Sequence, residues 1–193
     1  MGRKLAFDRD KALHAAMENF WERGYEAASM RDLAQKLGLH LGSVYNALGP
    51  KEKVFEDALR LHYQTYQVPK LKQLREHPHP VKALMEVLET AAEECGDPQK
   101  FFGCFLFNSL PGITQINDNV SAFLRDYIRS KEDGFADCIG RGQEMGLIAA
   151  EKDARQLARF LVAVLFSMRA LAKMGMPPEG IRDVKDCALK MIA

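Results

Sequence analysis

The stretch Ser29–Lys53, SMRDLAQKLGLHLGSVYNALGPKEK, decides how this chain is read. Ser29 followed by Asp32 marks a helix start, because the hydroxyl can accept from an early amide and the acid suits the positive helix end. Met30, Leu33, Ala34 and Leu37 then recur at helical spacing on one face. Gly38 stops that helix, since a left-handed turn residue costs glycine little. A second short helix is predicted from about His40 to Ala47. Two helices joined by a glycine-containing turn form a helix-turn-helix, whose second helix can enter the major groove of DNA. On spacing alone an ordinary helical hairpin fits equally well.

Outward from this stretch everything reads as helix, and the alternation of Val, Ile and Thr that would mark a sheet is missing. Arg3 and Lys4 form a short basic arm. Asp8 opens a helix to about Arg23, with Leu13, Ala16, Met17 and Phe20 on its apolar face, Trp21 adjoining, and Gly24 ending it. A long helix is expected over Lys51–Arg75, with Pro69 positioned to kink its far end. His77-Pro78-His79-Pro80 breaks the chain, and its two histidines read as loop residues. A helix over Val81–Cys95 ends at Gly96-Asp97-Pro98. The run from Phe101 to Leu110 is almost wholly apolar, and Pro111-Gly112 breaks it. Asn117 is placed to cap a helix reaching about Gly146. Two last helices are predicted over Asp153–Lys173 and Glu179–Ile192.

The segment from Phe20 to Phe55 resembles the N-terminal domain of the TetR family, the tetracycline-repressor-like bacterial transcription regulators. The resemblance is carried by Phe20, Gly24-Tyr25, Ser29-Met30-Arg31-Asp32-Leu33-Ala34, Gly38, Gly42-Ser43-Val44-Tyr45 and Lys51-Glu52. It implies an all-α fold: a three-helix DNA-binding domain over residues 1–53, joined by a long helix to an effector-binding and dimerisation domain over residues 54–193. It further implies a homodimer that binds a palindromic operator in double-stranded DNA and is released by a small molecule. The sequence also departs from the family pattern. Ala47 stands where a phosphate-touching residue is common, Leu48 replaces the usual aromatic, Pro50 replaces a hydroxyl-bearing cap, and His40 stands where a serine-like cap is frequent. The phosphate-contact set expected here is correspondingly smaller.

Recognition helices touch base edges mainly through their N-terminal residues, which here are His40, Leu41, Gly42 and Ser43, with Tyr45 and Asn46 one turn on. Gly42 lets the backbone approach the groove closely. Ser43 and the Tyr45 hydroxyl can donate to phosphate, fixing register without reading sequence. Asn46 can pair with an adenine edge, and Leu41 can meet a thymine methyl. Val44 and Leu48 are expected to face inward. Lys51 begins the long helix, where an ammonium and free amides together suit a phosphate. Ser29 and Arg31 occupy the equivalent start of the first motif helix.

Composition narrows the alternatives. The 193 residues carry a formal charge of only +1. Nine Lys/Arg against seven acids in the first 53 residues give a net of +2, enough for local phosphate clamps but not for a sequence-neutral coat on nucleic acid. No N-terminal signal pattern is seen, and the apolar run Phe160–Met168 is far too short for a membrane span. Cysteines at 95, 104, 138 and 187 lack ligand spacing, so reduced thiols in a cytoplasmic protein are expected, with no metal or cofactor. No glycine-rich phosphate loop or nucleophile motif supports an enzyme.

The effector pocket is expected between helices of the C-terminal half, mostly apolar with a few polar groups. Phe101, Phe102, Cys104, Phe105, Phe107, Asn108, Tyr127 and Met168 are candidates by residue type, with plain core as the competing account. Gly103-Cys104-Phe105-Leu106 resembles a segment in a subset of these regulators that includes sensors of electrophiles or oxidants. Cys104 is therefore an alternative trigger, and an inert buried thiol is the other reading. The apolar girth of the helix Asp153–Lys173 calls for burial on several sides. Paired with Glu179–Ile192 about a two-fold axis it would form a four-helix dimer interface through Leu161, Leu165, Met168, Val184 and Leu189. Completing a monomer core accounts for the same pattern.

Overall fold

The computed structural model of the chain describes residues 8–96, 103–106, 108 and 118–192. The basic arm at Arg3 and Lys4, the candidates Phe101, Phe102 and Phe107, the Pro111-Gly112 break and the Asn117 cap lie outside the described residues. The described residues are helical, without a strand.

Helix α1 (Arg9–Ala27) starts where the Asp8 carboxylate accepts from the Lys11 amide at 3.1 Å. Gly24 interrupts it at φ 77°, so the predicted end is a sharp break followed by one more short turn. Helix α2 (Met30–Lys36) is capped by the Ser29 hydroxyl, which accepts from the amides of Arg31 and Asp32. It ends on Gly38 at φ 64°, with the Leu39 amide donating to the Ala34 carbonyl at 2.9 Å and the Gly38 amide to Gln35 at 3.1 Å. This pair of bonds is the Schellman closure that a left-handed glycine permits. Helix α3 (Leu41–Leu48) follows, with Val44 and Leu48 buried as expected.

The predicted long helix is real but not uniform. Helix α4 (Lys51–His62) passes through a π-helical turn at Tyr63–Gln67 into α5 (Val68–Glu76). Pro69 explains the widened turn, because it has no N–H to donate and its ring crowds the carbonyl four residues back. Helices α6 (Pro80–Cys95), α7 (Asp118–Glu144), α8 (Ala154–Lys173) and α9 (Pro178–Ile192) complete the fold. The Asp153 carboxylate caps α8 by accepting from the amides of Arg155 and Gln156. His77 and His79 flank the α5–α6 corner, where the His79 amide donates to the His77 ring at 3.0 Å.

Two cores result. The first gathers Phe20, Leu33, Val44 and Phe55 from α1–α4 and continues into Phe105, Leu106, Val120, Leu124 and Tyr127. The second gathers Leu84, Leu88, Ile139, Leu161, Met168 and Ile181 from α6–α9. Phe166 packs against both. Val54, Phe55, Ala58 and Leu59 belong to the first core, so that core extends beyond residue 53 along α4.

The same burial corrects the expected dimer contacts. Leu161 and Met168 are fully enclosed within one chain and Leu165 nearly so. They cannot meet a partner, because α6, α7 and α9 already cover them. Val184 and Leu189 are half-buried against that same core. The apolar girth of α8 is thus used largely within one chain, and its outward stripe is Phe160, Ala163 and Ser167.

Gly24→Ala tests the break in α1. A Cβ there would stand 3.1 Å from the Asn108 carbonyl oxygen at a backbone angle that L-residues avoid. The expected loss is about 1–3 kcal/mol in denaturant unfolding; unchanged stability would show that the break is not under strain.

Candidate DNA-reading face and interdomain cavity

The exposed side of α3 presents His40, Gly42, Ser43, Tyr45 and Asn46 together, with Leu41 half-buried beside them. Burial of Val44 and Leu48 fixes this orientation, since side chains three and four residues apart share a helix face. Tyr45 is 43% exposed, so it is not a core tyrosine. His40 precedes α3 and Pro50 precedes α4, and neither supplies a side-chain cap, so the first amides of both helices lack a protein acceptor from these residues. Ser29 has its hydroxyl engaged as the α2 cap. Arg31 is exposed and makes no ion pair among the described residues. Lys51 is partly committed: its ammonium lies 4.5 Å from the centre of the Tyr25 ring and donates to the Glu26 carbonyl at 3.3 Å.

A cavity of about 380 Å³ opens where the two cores meet. Trp21 of α1 forms one wall, His62 and Tyr66 continue it, and Gly103, Cys104 and Phe105 close one end. Tyr127 and Lys131 come from α7, Leu165, Phe166 and Arg169 from α8, and Glu93 and Glu94 from α6. Aromatic edges pack this wall closely, with ring centres of Trp21 and His62 at 4.7 Å and of His62 and Phe105 at 5.2 Å. A smaller cleft of about 90 Å³ adjoins it past Lys70, Lys131 and Arg169.

Helix α1 is tied to the neighbouring segment by a polar latch. The Trp21 indole N–H donates to the Gly103 carbonyl at 2.8 Å. The Asn108 amide donates back to the Trp21 carbonyl at 3.0 Å. Lys173, at the end of α8, donates to the Asn108 side-chain oxygen at 2.7 Å. The scaffold helix of the DNA-reading head therefore shares a wall with the C-terminal half and is joined to it by the two Trp21 hydrogen bonds, while the Lys173 bond braces Asn108 from behind.

Charge in the cavity is unevenly matched. Glu94 accepts from Lys70 at 2.6 Å and from Arg169 at 2.8 Å. Partial desolvation raises its carboxyl, but those two cations together hold it below the usual range. Lys131 makes no ion pair or hydrogen bond among the described residues and meets only the rings of Tyr127 and Phe166, at 5.2 and 5.5 Å. Burial, with Arg169 and Lys70 nearby, pulls its ammonium down to about 8. Burial pushes the Tyr127 phenol well above its ordinary value. His62 is neutral, since burial and then the positive charges of Lys131, Lys70 and Arg169 depress its imidazole to about 4.

Of the residues expected to line a pocket, Cys104, Phe105 and Tyr127 stand in this wall, and Trp21, His62, Lys131 and Arg169 join them unexpected from sequence. Two signals were available. Lys131 falls on the apolar α7 stripe four residues from both Tyr127 and Phe135, and His62 continues the α4 stripe of Phe55, Ala58 and Leu59. A charged or titratable side chain on a buried face asks for a partner. Two other candidates sit elsewhere. Met168 is enclosed in the second core, and Asn108 is part of the latch behind the cavity.

His62 yields a pH test. Its folded value lies below its unfolded value, so between 6.5 and 4 the unfolded chain takes up a proton that the folded chain refuses. Stability is therefore present above 6.5 and lost as pH falls toward 4, by up to about 3 kcal/mol. As pH falls across that window the native protein should lose urea-unfolding stability relative to His62→Phe, and the relative loss should level off below it. Parallel curves would contradict the neutral assignment.

Comparison with known proteins agrees with this geometry. The family model for bacterial regulatory proteins of the tetR family matches residues 12–58, and the tetracyclin repressor-like C-terminal domain matches residues 80–186. The chain is 29% identical to the uncharacterised HTH-type transcriptional regulator YezE of Bacillus subtilis, with all of both chains covered. It is 26% identical to the HTH-type transcriptional repressor ComR of Escherichia coli, covering 98% of this chain and 91% of that one. A cysteine-substituted form of the TetR-family regulator CifR, solved with 26-base-pair operator DNA, aligns over the whole of both chains at 30% identity and a TM-score of 0.86. The latched helix-turn-helix and the helical half behind it thus belong to one protein of the tetR family of bacterial regulatory proteins, a DNA-binding transcription regulator.

Proposed function

We propose that two copies of this chain form a repressor that sits on a palindromic operator and leaves it when a compact small molecule enters the interdomain cavity. The observation that carries this reading is the placement of Trp21, which is at once a wall of the cavity and part of the helix that scaffolds the DNA-reading head. An occupant pressing on that wall acts on the head directly. Release needs differential affinity, since a ligand that binds both geometries equally shifts nothing.

On DNA, the exposed α3 side chains read the groove while the uncapped starts of α3 and α4, with Lys51, hold phosphates. Arg31, Ser43 and Tyr45 add phosphate contacts, Ser29 contributes by fixing the start of α2, and Leu41 and His40 border the bases. The thiol alternative rests on Cys104 lining the same cavity half-buried. Treatment with a mild electrophile separates the two: equal DNA release from native protein and Cys104→Ser leaves the reversible occupant as the trigger.

Two copies meet through the outward stripe of α8, Phe160, Ala163 and Ser167, together with the exposed Cys187 and Met191 of α9. Ala163→Glu should give monomers by light scattering at micromolar concentration while leaving the helical content intact. A dimer that persists would move the interface off α8.

Gly42 gives the sharpest test of the reading face. A methyl there meets nothing within 4 Å in the free protein. Gly42→Ala should therefore stabilise the fold by about 0.5–1 kcal/mol and yet weaken binding to every DNA sequence, because only the groove objects to it. Asn46→Ala should instead alter preference at one base position by about 1–3 kcal/mol. Selection of bound sequences from random DNA for each form checks both. Unchanged binding by Gly42→Ala, or unchanged preference in Asn46→Ala, would remove that residue from the interface.

A further inference from the structure

The cavity holds buried polar groups that no described residue answers. Lys131 is 9% exposed and His62 is 7% exposed, and neither has a hydrogen-bond partner among the described residues. The Tyr127 hydroxyl is buried beside them and is likewise unpartnered. None of these polar atoms is fully sealed off, so each borders the cavity space. A buried ammonium without an anion is costly, because desolvation is not offset by a paired charge or by hydrogen bonds.

We propose that the cavity binds an organic monocarboxylate with a flat apolar body, its carboxylate accepting from the Lys131 ammonium and the Tyr127 hydroxyl and its body lying against Trp21, His62 and Phe105. The proposal rests on the reading of this cavity as the effector site and names the chemical class that fits it. Charge count selects one negative charge. Lys70, Lys131 and Arg169 face Glu93 and Glu94, an excess of one positive charge, and Lys70 and Arg169 are already committed to Glu94. A dianion would leave Glu94 facing an unbalanced negative charge. A volume of about 380 Å³ admits a ring with a short tail.

The pH dependence follows from the groups that act on Lys131, with Glu93 of α6 lining the same cavity. Arg169 of α8 and Lys70 of α5 oppose its charge, while Glu94 of α6 and Cys104 support it. Tyr127 lies one turn away on its own helix, and His62 is neutral across the relevant range. With Lys131 titrating near 8 in the empty cavity, carboxylate affinity should fall about tenfold between pH 7 and pH 9 as the proton is lost.

The single tryptophan of the chain is Trp21, so its fluorescence reports occupancy of the cavity. The probes are 4-phenylbutyrate and its uncharged amide, titrated into the native dimer and Lys131→Met, with the pH series run on Cys104→Ser to remove the thiol. The acid is expected to bind at least about tenfold more tightly than the amide. Lys131→Met, which replaces the ammonium with a chain of similar length, should erase that preference and the pH dependence. Equal binding of acid and amide to the native protein, no binding of either at 10 mM (about the weakest useful affinity), or a preference that survives Lys131→Met would each overturn the proposal. Binding of the acid without loss of operator affinity would leave the carboxylate site standing and remove the cavity from control of DNA.

Discussion

The fold depends on one shared residue. Trp21 belongs to the helix that packs across the helix-turn-helix, yet its indole N–H is held by the Gly103 carbonyl and its ring lines the cavity. Because Asn108 returns a hydrogen bond to the Trp21 carbonyl, and Lys173 holds Asn108, the DNA-reading head is anchored to both the 103–108 region and the end of α8. Among the described residues the two cores pack directly on one another. Phe105 lies within the first core, Phe166 touches both, and α4 runs from the uncapped start beside the reading helix into the cavity wall at His62. On the proposed function, a change in the spacing of α1 against α7 and α8 would be passed to α3, which packs on α1.

The polar chemistry follows the same division. Outside the cavity, exposed pairs such as Arg23–Asp32 and Lys36–Glu18 hold the head together only weakly, as solvent-screened pairs do. Inside it, Glu94 absorbs Lys70 and Arg169, while among the described residues Lys131 meets only aromatic rings. Such an arrangement costs stability in the empty state, and the anion proposed above would return it. The proposed coupling between cavity and DNA would need no long pathway, because Trp21 in the cavity wall belongs to the helix that packs across the helix-turn-helix.

Much of this was legible from residue order. The caps Asp8, Ser29 and Asp153, the Gly38 stop and the inward Val44 and Leu48 all came from local rules, since capping and left-handed turns depend on neighbours in sequence. The π-helical turn before Pro69 was legible only as a kink, because proline marks the defect without saying how the backbone absorbs it. The α8 face went wrong for a different reason. A helix apolar on most sides fits a monomer core and a dimer seam alike, and only the packing of α6, α7 and α9 shows that Leu161, Leu165 and Met168 are consumed within one chain. The cavity was half seen. Its aromatic residues announced themselves by type, whereas Trp21 and Lys131 lie 110 residues apart in sequence, and no periodicity brings them together.

Linkage makes the central claim testable without knowing the effector. If an occupant of the cavity alters operator affinity, operator binding must alter the affinity for that occupant by the same factor, and a change at the cavity wall is the structural route by which it would do so. Trp21 gives one indole N–H resonance in a nitrogen-15 spectrum, and its side chain lies in the interdomain wall, away from the exposed face of α3. On saturation with an operator recovered from random DNA, that resonance should shift and its hydrogen exchange should change, along with the amides of α3. An indole resonance that stays fixed in position and exchange while the α3 amides respond would show that the reading head and the cavity are uncoupled.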